Sequence, residues 1–262
     1  MRFHFDEPVV AYMNRDLEVA HLDTPVEQIA RAMHGRGISG LPVLDAKQNL
    51  VGVVTHTDLI ALGLLQAGRR PTNRAMPLPH KRASELMTHD PAVVDSSVSL
   101  RHAARLMVDR EIHRVFVTEG GKLAGVICAV DFTAAVRDAK IETPVSTMMT
   151  APIVTVDVHA TLGETVELLD RVHVTGLIVT DEGQPIGMFT QTDALMSRDL
   201  PRSTPIETTY DAAVICLPAD MKLHRVAAHV ADLRVRRVVV CKAREAIGIV
   251  SATDFARVVA LS

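Results

Sequence analysis

The sequence predicts an α+β (α/β-like) fold of four βαββα repeats grouped as two pairs, and three observations predict it. Four segments end alike: GVVTHTDLIAL from Gly52, GVICAVDFTAA from Gly125, GMFTQTDALMS from Gly187 and GIVSATDFARV from Gly248. Each reads Gly, two apolar residues, a hydroxyl or Cys, two variable positions, Asp, then an apolar residue. The aspartates Asp58, Asp131, Asp193 and Asp254 follow at intervals of 73, 62 and 61 residues (131 − 58, 193 − 131, 254 − 193), a repeat period that spans the chain. Upstream of each, an apolar stripe at helical spacing precedes a β-rich run, so every copy carries the same grammar.

The elements follow in order within each copy. A short apolar strand comes first, as in AVVD (92–95) and PIVTVD (152–157). The helical stripe is Val26, Ile29, Ala30 and Met33 in copy one, and Leu100, Ala103, Ala104 and Met107 in copy two. Copy three keeps Leu162, Val166 and Leu169; copy four has Leu223, Val226, Ala227 and Val230. Residues at i, i+3, i+4 and i+7 share one helical face, which that spacing buries. The β-rich runs GLPVLD, RVFVTE, GLIVTD and RVVVCK come next, then turns with Gly or charge such as 119–121 and 182–183. The Gly-led strand and a helix opening at the Asp close the unit. The expected boundaries are 8–66, 83–140, 143–200 and 204–262, with a basic, Pro-rich insertion at 67–82 read as a solvated loop.

A finer register groups the copies. Gly40 and Gly176, each after a hydroxyl (Ser39, Thr175), align with Arg114 and Arg237, each after a basic residue (His113, Arg236). Odd and even copies thus alternate, as a duplicated two-copy unit would, pairing one with two and three with four.

Composition narrows the function. Hydrophobic residues make up 48% and charged residues 23%, ordinary for a chain with a buried core. Aromatic residues are 3%, with no Trp, two Tyr and six Phe, so the core is Val, Ile, Leu, Met and Ala. That scarcity argues against a single-stranded nucleic-acid binder, which stacks bases on rings. The formal net charge of −3 provides no global basic field for DNA or membrane. No nucleic-acid or membrane partner is expected. No apolar run reaches the ~20 residues of a span. The N-terminus does not read as a signal peptide, and Cys128, Cys216 and Cys241 form no C-x-x-C, so a cytoplasmic chain without disulfide framework or zinc site is expected. The twelve His show no metal-binding spacing, and no catalytic motif remains, so no metal, no catalytic cofactor and no enzyme activity are expected.

Four βαββα units ending in G-h-h-[ST]-x-x-D resemble cystathionine-β-synthase (CBS) domains, and two in tandem resemble a Bateman module, or CBS pair. The likeness covers nearly the whole chain, with Met87-Thr88 and Met149-Thr150 matching a Met-Thr often found before the family's first strand. The resemblance implies a regulatory unit that binds AMP, ADP or ATP in clefts between paired domains, with S-adenosylmethionine as an alternative. It implies that the motif hydroxyl meets phosphate and the motif Asp the ribose diol. Carried over, these are Thr55 and Asp58, Thr190 and Asp193, and Ser251 and Asp254. The partners implied are an adenosine-containing small molecule and a regulated protein not identified by the sequence. An internal four-domain disc is favoured over a homodimer.

The residue types suit that chemistry. A carboxylate accepts two hydrogen bonds and can hold a diol; a helix N-terminus favours phosphate. Thr57, Thr192 and Thr253, one residue before three of the aspartates, add a donor or cap. Arg114, Arg236 and Arg237 either neutralise phosphate or line a solvated strand edge; strand alternation points His113 away. Copy two keeps Asp131 but has Cys128 and Val130 in place of hydroxyls, so its site is expected to be degraded. The competing reading of every motif Asp is a helix cap. Up to three adenosine sites are expected in a ligand sensor; a ligand-silent scaffold is the alternative. The hydroxyl three residues upstream is taken as the feature capping does not explain.

Overall fold

The computed structural model describes residues 5–67, 78–233, 235–243 and 245–262, with side chains of 64–67 set aside. Residues 68–77 of the basic insertion lie outside the described residues. Repeat one holds β1 (Ala20–His21), α1 (Val26–Arg36), β2 (Gly40–Leu44), β3 (Leu50–Thr55) and α2 (His56–Ala67), followed by a short β4 (Thr88–His89). Repeat two holds β5 (Val93–Asp95), α3 (Leu100–Asp109), β6 (Arg114–Glu119), β7 (Lys122–Cys128) and α4 (Phe132–Asp138). Repeat three holds β8 (Thr155–Asp157), α5 (Leu162–Arg171), β9 (Gly176–Asp181), β10 (Gln184–Thr190) and α6 (Gln191–Met196). Repeat four holds β11 (Cys216–Pro218), α7 (Leu223–Asp232), β12 (Arg237–Lys242), β13 (Glu245–Ser251) and α8 (Ala252–Leu261).

Each repeat makes one small sheet in which the first strand runs parallel to the second and the second pairs antiparallel with the third. The hairpin β9–β10 turns through Glu182 and Gly183 at φ 48° and 79°, the left-handed region where Gly carries no Cβ penalty. The predicted stripes are the buried faces: Leu100, Ala103, Ala104 and Met107 in α3, and Leu223, Val226, Ala227 and Val230 in α7. Burying apolar area at roughly 25 cal/mol per Å² fixes those helices to their sheets.

The chain divides into two compact units. One combines Met1–Leu17, Ala92–Ile153 and Ile215–Ser262, hence repeats two and four; the other combines Glu18–Pro91 and Val154–Val214, hence repeats one and three. In the first, α3 packs on α8 and α4 on α7 around a single core; in the second, α2 packs on α6. Membership of a compact unit is therefore odd with odd and even with even, rather than sequential neighbours.

The sequential pairing appears in a different feature. A segment ahead of each repeat docks on the Gly-led strand of the neighbouring repeat. Asn14 bridges Val126, Thr88 pairs with Val53, Thr150 bridges Ile249 and Asp211 bridges Met188. Repeats one and two thus exchange segments, as do three and four. Short 3-10 turns open these segments, burying Val9, Ala83, Val145 and Ile206 completely. The motif glycines exist for this docking. A Cβ on Gly125 would lie 2.6 Å from Met13 Sδ, on Gly52 2.5 Å from Met87 Sδ, and on Gly248 2.3 Å from Met149 Sδ.

Candidate functional site

The first amide of the closing helix fixes where it starts. His56, Ala129 and Gln191 donate their N–H to the carbonyls of Ser39, His113 and Thr175, the residues just before each middle strand. The helices of repeats one, three and four therefore open directly after Thr55, Thr190 and Ser251, and the motif Asp is the third helical residue. This differs from the expected helix start at the Asp. In repeat two a 3-10 turn over Ala129–Asp131 precedes α4.

At that position the Asp and the upstream hydroxyl are each other's partners. Thr55 donates both its amide and Oγ1 to Asp58 Oδ2 at 2.7 Å. Thr190 does the same to Asp193 Oδ2 at 2.7 and 2.6 Å, and the Asp193 amide returns a bond to Thr190 Oγ1 at 3.4 Å. Ser251 gives its amide and Oγ to Asp254 Oδ2 at 2.8 and 2.9 Å. This is a reciprocal capping box, which needs a hydroxyl three residues before an acid. Capping thus accounts for the recurrent spacing, contrary to the expectation that it does not. Repeat two keeps the box with a thiol in the hydroxyl's place: the Cys128 amide donates to Asp131 Oδ2 at 2.7 Å, and the Cys128 side chain faces the Asp131 amide.

The four carboxylates then differ in their second oxygen. For Asp58 and Asp193, half-buried, Oδ1 accepts no hydrogen bond among the described residues. Burial raises the Asp193 carboxyl above its ordinary range against the lowering bonds from Thr190, and Asp211 adds a like charge. Asp254 is 1% exposed, and its Oδ1 accepts from Thr150 Oγ1 at 3.0 Å and Arg257 at 2.8 Å. Asp131 is pushed up to about 6 by burial, with the Cys128 amide alone opposing.

Inside each compact unit the strand-to-helix corners of two repeats meet. Gln191 Nε2 donates to Thr57 Oγ1 at 3.1 Å, joining repeats one and three. Thr253 Oγ1 lies 3.1 Å from His113 Nδ1, joining repeats two and four. His113 therefore stands at the corner, because β6 begins only at Arg114 and strand alternation does not govern it; Gln191 carried no signal in the motif. Thr192 is exposed at the equivalent corner position. Arg114 pairs in register with Cys128, and Arg237 with Ser251. Desolvation, then Arg114 and Arg237, lower the His113 pKa; desolvation raises Cys128 while Arg114 and Arg236 pull it down. Three guanidiniums thus gather at the corner of the even repeats, and the odd repeats have Gly40 and Gly176 there. Among the described residues no group of three or more His, Cys, Asp or Glu could hold a metal ion, and no helix is long and apolar enough to cross a membrane.

A four-repeat fold with these corners defines a class, and the family comparison agrees with it. The CBS domain model matches residues 9–64, 83–138, 145–199 and 198–261, so the chain belongs to the CBS-domain family. A 33.4 kDa protein in the ribosomal RNA operon of Thermofilum pendens is 25% identical over 217 residues, covering 78% of this chain and 68% of that one. The chloroplastic CBS domain-containing protein CBSX2 of Arabidopsis thaliana is 29% identical over 152 residues, 51% of this chain and 64% of that one. Protein MJ1225 from Methanocaldococcus jannaschii has the same fold, with TM-score 0.83 at 15% identity over 96% of this chain and 99% of that one.

Proposed function

We propose that the protein is a regulatory module that binds an adenosine-containing ligand, AMP, ADP or ATP, and transmits a change of conformation to a partner protein. The observation that carries this reading is the pair Asp58 and Asp193. Each carboxylate has one oxygen engaged in capping its helix and the other open to a donor. A ribose diol supplies two such donors. Arg114 and Arg237 stay in this reading as candidate phosphate donors within the unit of repeats two and four. The helix N-terminus contributes less than its dipole suggests: in α6 the Gln191 and Asp193 amides already bond to Thr175 and Thr190. No catalytic step belongs to this reading. A solved structure of the relative CBSX2 is described as a complex with AMP. Switching requires that the ligand bind one conformation more tightly than another.

The capping boxes favour a second reading, a ligand-silent scaffold whose motif is retained for folding alone. Calorimetric titration with adenosine, AMP, ADP, ATP and S-adenosylmethionine separates the two. The sensor reading expects saturable binding of at least one, weakened about tenfold to a hundredfold by Asp193→Asn. Absence of binding by all five at millimolar concentration rejects it.

A further inference from the structure

We infer that Thr150 and Arg257 hold Asp254 closed to ligand, whereas Asp58 and Asp193 keep an oxygen able to receive a diol. The choice of ligand rests on the adenosine reading; the closure does not.

The four docking segments place one side chain at an equivalent point in every repeat. Asn14, Thr88, Thr150 and Asp211 each oppose the residue after the motif Gly: Val126, Val53, Ile249 and Met188. Each therefore stands two residues before the residue that caps the helix. What occupies that point decides the state of the neighbouring Asp. Thr150 has a hydroxyl donor and gives it to Asp254 Oδ1. Asn14 and Asp211 are turned back on their own segments, their Oδ1 atoms accepting from the amides of Asp16 and Ala213 at 2.9 Å each. Thr88 is exposed, and no bond joins it to Asp58 among the described residues.

A second donor acts only in repeat four. Three residues beyond the motif Asp, on the same helical face, stand Ala61, Ala134, Met196 and Arg257. Only Arg257 can reach back with charge, and it does so at 2.8 Å. Asp254 thus has both oxygens engaged, by Ser251 on one and by Thr150 and Arg257 on the other, at 1% exposure. A ribose would have to displace a charge-assisted bond and a hydroxyl bond from a buried carboxylate before gaining its own.

Amidation by a water-soluble carbodiimide and glycinamide, followed by peptide mass spectrometry, reads the closure without any ligand. Asp58 and Asp193 are expected to react, and Asp254 at least about tenfold more slowly, the factor that one charge-assisted hydrogen bond corresponds to. In the Thr150→Val, Arg257→Met double variant, checked for native circular dichroism, Asp254 should approach the rate of Asp58. Asp254 reacting as fast as Asp58 and Asp193 in the unaltered protein overturns the inference. A parallel arm with AMP should slow Asp58 and Asp193 and leave Asp254 unchanged; slowing of Asp254 also overturns it. If AMP slows none of them, the AMP reading fails, and the order of rates without ligand still decides the closure.

Discussion

Tyr210 covers Gly187 so closely that a Cβ on that glycine would overlap the ring carbons Cδ2 and Cε2 and stand 2.6 Å from the Asp211 carbonyl oxygen. In the other three repeats a methionine fills the same place. The motif glycine is therefore a docking surface for a segment from the neighbouring repeat, and at Gly187 a rigid ring and a backbone carbonyl stand where a Cβ would go. Gly187→Ala is expected to destabilise the protein by about 2–4 kcal/mol, and Gly248→Ala by about 1–2 kcal/mol, because the flexible Met149 can shift. Urea denaturation of both variants checks the order; equal losses would contradict it.

The capping geometry gives Thr190 a structural role that ligand studies must separate from binding. Thr190→Val removes the bond to Asp193 Oδ2 and the return bond from the Asp193 amide. A loss of about 1 kcal/mol in stability without ligand is expected. An unchanged denaturation midpoint would remove the capping account of the motif.

Asp131 titrates against folding. Its folded pKa is raised to about 6, above the ~3.9 of an unfolded Asp, so the native state binds more protons between those values. The stability this gives is full below pH ~4 and is lost as pH rises through about 6. After discounting for the partial exposure of the group, the fall is about 1–2 kcal/mol. Denaturation profiles of the protein and Asp131→Asn from pH 4 to pH 7.5 should diverge by that amount, with the variant holding its stability at the upper end. Parallel profiles would contradict the assignment.

Much of the fold was legible because its signals are local. The βαββα order and the buried stripes such as Leu223, Val226, Ala227 and Val230 follow from periodicities of a few residues, and the four motif aspartates from a short motif repeated along the chain. The closing helix starts two residues before the motif Asp because its first amide bonds to the carbonyl just ahead of the middle strand, Ser39 for His56 and Thr175 for Gln191, a partner that local spacing does not reveal. The docking segments were half visible: Met87-Thr88 and Met149-Thr150 stood out, but nothing in Met13 announces that it will fill the space over Gly125. Arg202 is another case. It is buried against Gly163 with Glu167 as its ion-pair partner, and no pattern in its neighbours distinguishes it from a surface arginine.

Spacing along the chain does not distinguish a helix cap from a ligand site. A hydroxyl three residues before an acid serves a capping box and a ligand site equally well, so the motif alone leaves both readings open. The atoms show the cap: one oxygen of each Asp belongs to it, and the partner of the other depends on residues far away in sequence, such as Thr150 for Asp254.

The most direct test of the ligand-binding reading is equilibrium dialysis of labelled AMP against the full-length protein and its Asp58→Asn, Asp193→Asn double variant. Asn keeps an oxygen to cap each helix and loses the charge that a diol would meet. Saturable binding to the unaltered protein, weakened about a hundredfold or more in the double variant while its circular dichroism stays native, is the predicted result. Binding of equal strength to both proteins would contradict it.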